Sequence, residues 1–169
     1  MGTRSKIGIL RKDGSVDHVY CHWDGYPEHN GSLLFNEYSN INKMNQLIKL
    51  GDMSVLNEHI FPVPDKPHNF GSVEDHQEDV CVFYNRERNE DWKHTCPKTS
   101  KNLNRFIIDC KNSDCEYAYI WLPRGRMNDT LRRMGCVTTT FWTRRRVIPL
   151  KQTSCLLQSY ASLLCGRMP

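Results

Sequence analysis

Residues 4–22, RSKIGILRKDGSVDHVYCH, predict a β-hairpin at the centre of the fold. Two strand-like runs flank Asp13-Gly14, a dipeptide that suits a type I′ turn because both central residues of that turn need positive φ. Successive side chains of a strand point to opposite faces. The second strand therefore divides into two sets, which are Val16, His18 and Tyr20 on one face and Asp17, Val19 and Cys21 on the other. Both sets contain apolar members, and this predicts a central hairpin rather than one at a sheet edge.

Helices are predicted beyond the hairpin. The intervening residues 24–31, DGYPEHNG, break the strand with glycine and proline. From Ser32 onward, apolar residues recur at helical spacing. Ser39-Asn40 interrupts this pattern and is predicted to cap a second helix over residues 41–50. Gly51 is then expected to end that helix from the C′ position.

The remaining elements complete an α+β domain predicted over residues 1–129. Strands are expected in VCVFY and EYAYIWL, which are residues 80–84 and 116–122, with a helix capped by Ser100 between them. Residues 85–99 are predicted to form turns. Residues 51–61 are predicted to form a turn and a short helical segment, and residues 62–79 a long surface loop. The order of these elements predicts an antiparallel sheet with an N-terminal β-hairpin and two to three helices.

Residues 130–169 form a basic C-terminal segment. They contain seven Lys or Arg and no Asp or Glu, so they carry +7 while residues 1–129 carry −3. Part of the segment fits a strand and part fits a helix. Arg144, Arg145 and Arg146 follow Phe141-Trp142, a combination that suits a phosphate-binding stripe for nucleic acid. A passive segment that contributes neither to the core nor to function is the alternative.

Composition limits the class of protein. The 169 residues are 38% hydrophobic and 25% charged, values typical of one globular domain. Eight cysteines are scattered without a Cys-x2-Cys pair, and this predicts reduced, mostly buried thiols, with no metal and no cofactor. The chain has no apolar run of roughly 18 residues and no signal-peptide pattern at MGTRSKIGIL. We therefore expect a soluble cytoplasmic protein that does not contact membranes.

The segment CHWDGYPEHNG, residues 21–31, is the densest cluster of chemically capable side chains. Cys21 and His22 point to opposite faces of a strand, which disfavours a nucleophile and its base. His22 and Asp24 are two apart, so general acid–base chemistry by this pair is an alternative. Recognition would instead use a wider set, namely Trp23, Asp24, Tyr26, Glu28 and His29, and the expected surface is this turn together with the loop 62–79. The third interpretation is a purely structural connection between strand and helix, in which the side chains of Asp24 and Asn30 bond local backbone amides.

The segment YNRERNEDW, residues 84–92, offers a second candidate surface. Its alternating charges are typical of a solvated, self-paired surface. Arg86 and Arg88 beside Trp92 could instead stack on a base or bind a phosphate. The sequence contains no phosphate-binding glycine loop, no His-Glu-x-x-His and no Gly-x-Ser-x-Gly, so no motif assigns a reaction.

The first two thirds of the chain resemble a family of small uncharacterised bacteriophage and prophage proteins. The resemblance rests on the Thr-Arg-Ser-x-Ile strand, the Asp-Gly hairpin, Cys-His-Trp-Asp-Gly-Tyr and Leu-Gly-Asp-x-Ser, followed by VCVFYNRERNEDW and EYAYIW. It covers about residues 3–122, and the basic C-terminal segment departs from the pattern.

This resemblance implies a phage-encoded accessory protein of the host cytoplasm. Such a protein would bind and inhibit or modulate a host factor, for example a defence component, as anti-CRISPR proteins do. A host protein is then the expected partner, and nucleic acid is a further one through the basic segment. The alternative is a small enzyme that acts on a nucleotide or nucleic acid through His22 and Asp24.

Overall fold

The computed structural model describes residues 2–122, 138–143 and 146–149. The strands are β1 Ser5–Leu10, β2 Val16–Cys21, β3 Met53–Val55, β4 Val82–Phe83, β5 Lys98–Ser100, β6 Tyr117–Trp121, β7 Thr138–Thr143 and β8 Arg146–Pro149. The helices are α1 Ser32–Glu37, α2 Ile41–Lys49, α3 Trp92–Thr95 and α4 Leu103–Lys111, and a single π-helical turn, Pro27–Gly31, precedes α1.

One mixed sheet contains all of these strands. Its order is β4-β3-β2-β1-β6-β7-β8, and β5 also pairs with β2. The predicted hairpin lies at the centre, with Ile7 opposite Val19. The sheet is not purely antiparallel, because β1 runs parallel to β6, β2 to β3 and β6 to β7. The α+β class is confirmed, and α1 and α2 lie in the chain between the parallel strands β2 and β3.

The hairpin loop differs from the predicted two-residue turn. Leu10 and Val16 form the last strand pair, and the Gly14 amide donates to the Arg11 carbonyl at 3.1 Å. Gly14 has φ +89°, whereas Asp13 is not among the residues with positive φ. The Asp13 carboxylate instead accepts from the Ser15 amide and hydroxyl at 3.0 and 2.7 Å. Lys12, Asp13 and Gly14 therefore form a three-residue hairpin loop, in which the glycine supplies the left-handed position.

Both faces of the central hairpin are covered, as its two-sided apolar pattern predicts. On one face, Ile7, Ile9 and Val19 pack against Leu34 of α1 and Leu47 of α2. The opposite face carries a second cluster, formed by Val16, Ala118 and Ile120 with Phe106, Ile107 and Cys110 of α4. The sheet is therefore a layer between helices, and strand residues of either parity are buried.

The predicted limits of α2 are confirmed in detail. The Asn40 side chain accepts a hydrogen bond from the Asn42 amide at 2.8 Å, as an N-cap residue does. Gly51 follows the helix with φ +83°, and a Cβ there would collide with the Thr95 carbonyl. Only glycine fits this position, because the backbone is left-handed and the neighbouring backbone is close.

Several short elements differ from the sequence prediction. Residues 53–55 form β3 rather than a helical segment, and within 80–84 only Val82–Phe83 is a strand. The stretch 85–99 contains α3 and the start of β5 rather than turns alone. Ser100 lies in β5, while Asn102 caps α4 by accepting from the Arg105 amide at 2.9 Å. These strands have two or three residues, too few to show a period.

Candidate functional site

Residues 22–31 form a turn fixed to the sheet by its backbone. The Gly25 amide donates to the Thr3 carbonyl at 2.8 Å, and the Gly25 carbonyl accepts from the Tyr119 hydroxyl at 2.7 Å. A Cβ at Gly25 would lie 2.7 Å from the Thr3 carbonyl oxygen. Asp24 beside it has φ +53°, a conformation that Asp tolerates better than most residues. The chain therefore requires a glycine and a short polar residue in sequence here.

Asn30 ties the far end of this turn to the strands. Its buried side-chain amide donates toward Ser5 Oγ at 3.3 Å, Cys21 Sγ at 3.4 Å and the Trp23 carbonyl at 3.2 Å. Its side chain thus bonds a local backbone carbonyl rather than a backbone amide, and its oxygen lies 3.0 Å from His29 Nδ1. The result is a rigid connection, as a preorganised binding element requires.

The geometry does not assemble a catalytic pair in this turn. The Cys21 thiol is fully buried, and burial raises its pKa to about 12, so it is protonated and shielded at neutral pH. His22 Nδ1 hydrogen-bonds the Tyr20 hydroxyl at 2.8 Å. In the part of the chain that the structure describes, His22 and Asp24 share no hydrogen bond. Partial burial, together with the positive charges of Arg4 and Arg88, lowers the pKa of His22, which favours the neutral ring.

An exposed aromatic group extends from this turn to the loop 62–79. Trp23 is 41% exposed and packs edge-on against His22, with ring centroids 4.7 Å apart. The Arg88 guanidinium lies 4.8 Å from the Tyr84 ring centre and 4.9 Å from that of Phe70. We call these five residues, His22, Trp23, Phe70, Tyr84 and Arg88, the aromatic–arginine surface.

Arg86 has a different position from Arg88. Its guanidinium donates to the carbonyls of Ile60 and Cys81 at 2.8 and 2.9 Å and pairs with Glu87. It also lies 4.9 Å from the Phe83 ring centre. Because its donors are occupied by backbone and carboxylate, Arg86 holds segments of the chain together rather than presenting a free fork to a ligand.

The other predicted recognition residues are dispersed. Tyr26 packs against His29, with ring centroids 5.9 Å apart. Glu28 and His29 line a groove of about 320 Å³ that three more carboxylates make acidic, those of Glu37, Glu58 and Asp79. Trp92 is 44% exposed at the start of α3. Arg144 and Arg145 lie outside the described residues, and Arg146 begins β8.

A Ser–His–Asp contact occurs elsewhere, in the core beside α4. His18 Nε2 is 3.0 Å from Ser100 Oγ, and that hydroxyl donates to Asp109 Oδ2 at 2.6 Å. Serine is the central member, so the histidine is not placed between nucleophile and carboxylate as a triad requires. His18 and Ser100 are buried, and burial lowers the pKa of His18 to about 4. These groups join β2, β5 and α4.

Two members of the aromatic–arginine surface lie in segments that the sequence analysis marked as candidate surfaces but were not named there as recognition residues. Phe70 is the only Phe, Tyr or Trp within the loop 62–79, and Tyr84 stands four residues before Arg88. An isolated aromatic residue in a polar loop is a usable signal for a loop that folds back onto the protein. The partner of each ring depends on the tertiary fold, which the spacing alone does not give.

Comparisons complete the description. No protein-family model, curated protein or solved structure matches this chain. Within residues 2–122 and the two described strands beyond them, no three or more His, Cys, Asp or Glu side chains are arranged to hold a metal ion. None of the described helices is both long and apolar enough to cross a bilayer.

Proposed function

We propose that this protein is a binding protein whose recognition surface is the aromatic–arginine surface. Two sets of ring contacts carry the proposal: exposed Trp23 packs on His22 in the turn, and Arg88 stacks on Tyr84 and on the exposed Phe70 of the loop. Trp, Tyr and Arg side chains dominate the energetics of protein interfaces. Trp23 extends from a turn that is hydrogen-bonded to the sheet, and Arg88 is held between two rings, so little conformational entropy is lost when a partner binds.

The partner we propose is a host protein, and the setting is a phage-infected bacterium. The resemblance of residues 3–122 to phage and prophage proteins supports this, because such accessory proteins act on host enzymes or defence components. Inhibition of a defence component in the host cytoplasm, in the manner of an anti-CRISPR protein, is the specific form of the proposal. The small-enzyme alternative has less support, since His22 pairs with Tyr20 and shares no hydrogen bond with Asp24 in the described part of the chain.

A capture experiment tests this function. The tagged protein is incubated with bacterial lysate, and enriched proteins are compared between the unchanged chain, Trp23→Ala and Arg88→Lys. We expect at least a tenfold loss of the captured partner in both variants, a typical effect at the centre of an interface. Arg88→Lys keeps the charge but removes the plane that stacks on Tyr84 and Phe70.

The control is Ile108→Ala, which removes an exposed apolar side chain on α4. Its capture should equal that of the unchanged protein. Equal capture by Trp23→Ala and Arg88→Lys, with folding intact by circular dichroism, would contradict the proposed surface. Absence of any enriched protein would contradict the proposed function itself.

A further inference from the structure

The loop 62–79 is anchored to the domain by a stacked pair of histidines, one of which has a buried side chain. The His68 side chain is only 3% exposed, and its ring stacks on that of His76 with centroids 5.2 Å apart and an interplanar angle of 26°. Buried histidines are uncommon in a loop that is otherwise polar and exposed. Their surroundings therefore decide how the loop is held.

Gln77 connects His68 to the rest of the loop. Its backbone amide donates to His68 Nδ1 at 3.1 Å, so that nitrogen carries no proton and the ring proton of the neutral imidazole is on Nε2. The Gln77 side chain accepts from the Val63 amide at 2.8 Å and donates to the carbonyls of Lys66 and Pro67 at 3.1 and 3.2 Å. The loop conformation thus depends on an unprotonated Nδ1.

The charged and titratable groups around His68 do not stabilise a second ring proton well. His68 Nε2 is buried without a hydrogen-bond partner in the described structure, 4.0 Å from Glu87 Oε1. The Glu87 carboxylate is already engaged by the Phe83 amide at 2.7 Å and by Arg86. The buried Nδ1 of His76 also has no hydrogen-bond partner among the described residues. A charge on His68 would therefore have a carboxylate nearby that is already engaged, and a second imidazole stacked on its ring.

We propose that the loop 62–79 is an acid-released element, in which protonation of His68 at Nδ1 expels the Gln77 amide and frees the loop. A proton from solvent converts Nδ1 from an acceptor to a donor, so two N–H groups would face each other. Release withdraws Phe70 from Arg88 and so removes one of the five residues of the aromatic–arginine surface. This consequence for binding rests on the proposed function, whereas loop release itself does not.

The direction of the pH dependence follows from burial. Burial lowers the pKa of His68 and is the largest cause; Glu87 and the backbone of Cys81 oppose this effect, whereas His76 and Arg86 add to it. A histidine whose pKa is lower in the docked loop favours docking above its ordinary pKa of about 6.5, and this contribution is lost as the pH falls. One such group raises the opening equilibrium by up to about tenfold per pH unit between that value and the lower pKa of the docked loop, and the effect levels off below it.

Amide hydrogen exchange on the isolated protein tests the proposal. Protection factors, corrected for intrinsic exchange, are measured at pH 7.5 and 5.0 for the loop amides of Gln77, Asn69 and Val63 and for α2. We expect the loop amides to lose at least tenfold protection at pH 5.0 while α2 keeps its own. In His68→Asn, whose side-chain oxygen can accept from Gln77 but does not titrate, protection should not change with pH. His59→Asn replaces an exposed histidine nearby and should behave as the unchanged protein.

Three results would overturn the proposal. They are unchanged loop protection at pH 5.0, simultaneous loss in the loop and α2, and persistence of the pH dependence in His68→Asn. If His68→Asn does not dock even at pH 7.5, NMR titration of the unchanged protein decides. Coincident midpoints for the His68 ring and the loop amides support the proposal, and separate midpoints overturn it. None of these readouts involves a partner, so failure here is distinct from failure of the capture experiment.

Discussion

His18 contributes both to the packing of the core and to the pH dependence of the free energy of unfolding. Its imidazole is buried in β2 and contacts Ser100, with Phe106 edge-on at 5.1 Å between ring centroids. Burial is the largest cause that lowers its pKa to about 4, and the charge of Lys6 adds to it. Neutral His18 therefore stabilises the fold at neutral pH, and protonation opposes folding in acid.

We predict that His18→Gln flattens the acid dependence of stability. The His18 contribution is fully present above pH 6.5 and declines as the pH falls toward 4, by up to about 3 kcal/mol. Glutamine can still donate to Ser100 but does not titrate. Urea unfolding between pH 4 and 7.5 measures the slope, with the exposed His94→Gln as control. Equal slopes for His18→Gln and the unchanged protein would contradict this role.

For individual residues, the sequence predicted which side chains are exposed better than it predicted which side chains they contact. Trp23 and Arg88 were both predicted, and both contribute to the aromatic–arginine surface. The pairing of His22 with Tyr20 was not predicted, although strand alternation puts both on one face. Arg86 and Arg88 have similar sequence surroundings, yet only the fold brings the carbonyls of Ile60 and Cys81 to Arg86.

Elements with a clear local signal were predictable, and the shortest ones were not. The central hairpin and the helix Ile41–Lys49 follow from alternation, capping and a C′ glycine. β3 and β5 each have three residues and exist because β2 offers them an edge, with Cys21 opposite Met53 and Val16 opposite Ser100. No period is detectable in three residues, so pairing with a distant strand determines these elements.

The C-terminal strands give a prediction about stability. β7 pairs in parallel with β6, from Tyr117 opposite Thr138 to Trp121 opposite Trp142. Ending the chain after Asp129 removes β7 and β8 and leaves the edge of β6 without these hydrogen bonds. We expect a lower melting temperature for the shortened chain, measured by differential scanning calorimetry. An unchanged melting temperature would instead favour the passive-segment interpretation of residues 130–169.

The basic stripe makes a separate prediction. If Arg144, Arg145 and Arg146 each contact a phosphate, the affinity for single-stranded DNA should fall with salt. The expected log–log slope is roughly −2, from about −0.7 per contact. Fluorescence anisotropy across salt concentrations measures this slope. Replacing the three arginines with glutamine should abolish it, and no binding by the unchanged chain would contradict the stripe.

For the whole molecule, the α+β class and the central position of the hairpin follow from the sequence. The set of residues that form the aromatic–arginine surface does not. The pattern of β2 predicts a central hairpin with apolar residues on both faces, and Leu47 of α2 and Phe106 of α4 cover the two faces in the structure. The aromatic–arginine surface combines residues more than sixty positions apart, from His22 to Arg88. Such a combination depends on the path of the loop 62–79, which irregular sequence does not specify.

The affinity of the captured partner for Trp23→Ala and Phe70→Ala tests most directly whether the turn and the loop form one surface. Isothermal titration calorimetry at pH 7.5, where the loop is expected to be docked, gives the dissociation constants. We predict that each substitution weakens binding at least tenfold and that Ile108→Ala changes it less than twofold. If Phe70→Ala binds as tightly as the unchanged protein while Trp23→Ala does not, the turn alone binds and the single surface is contradicted.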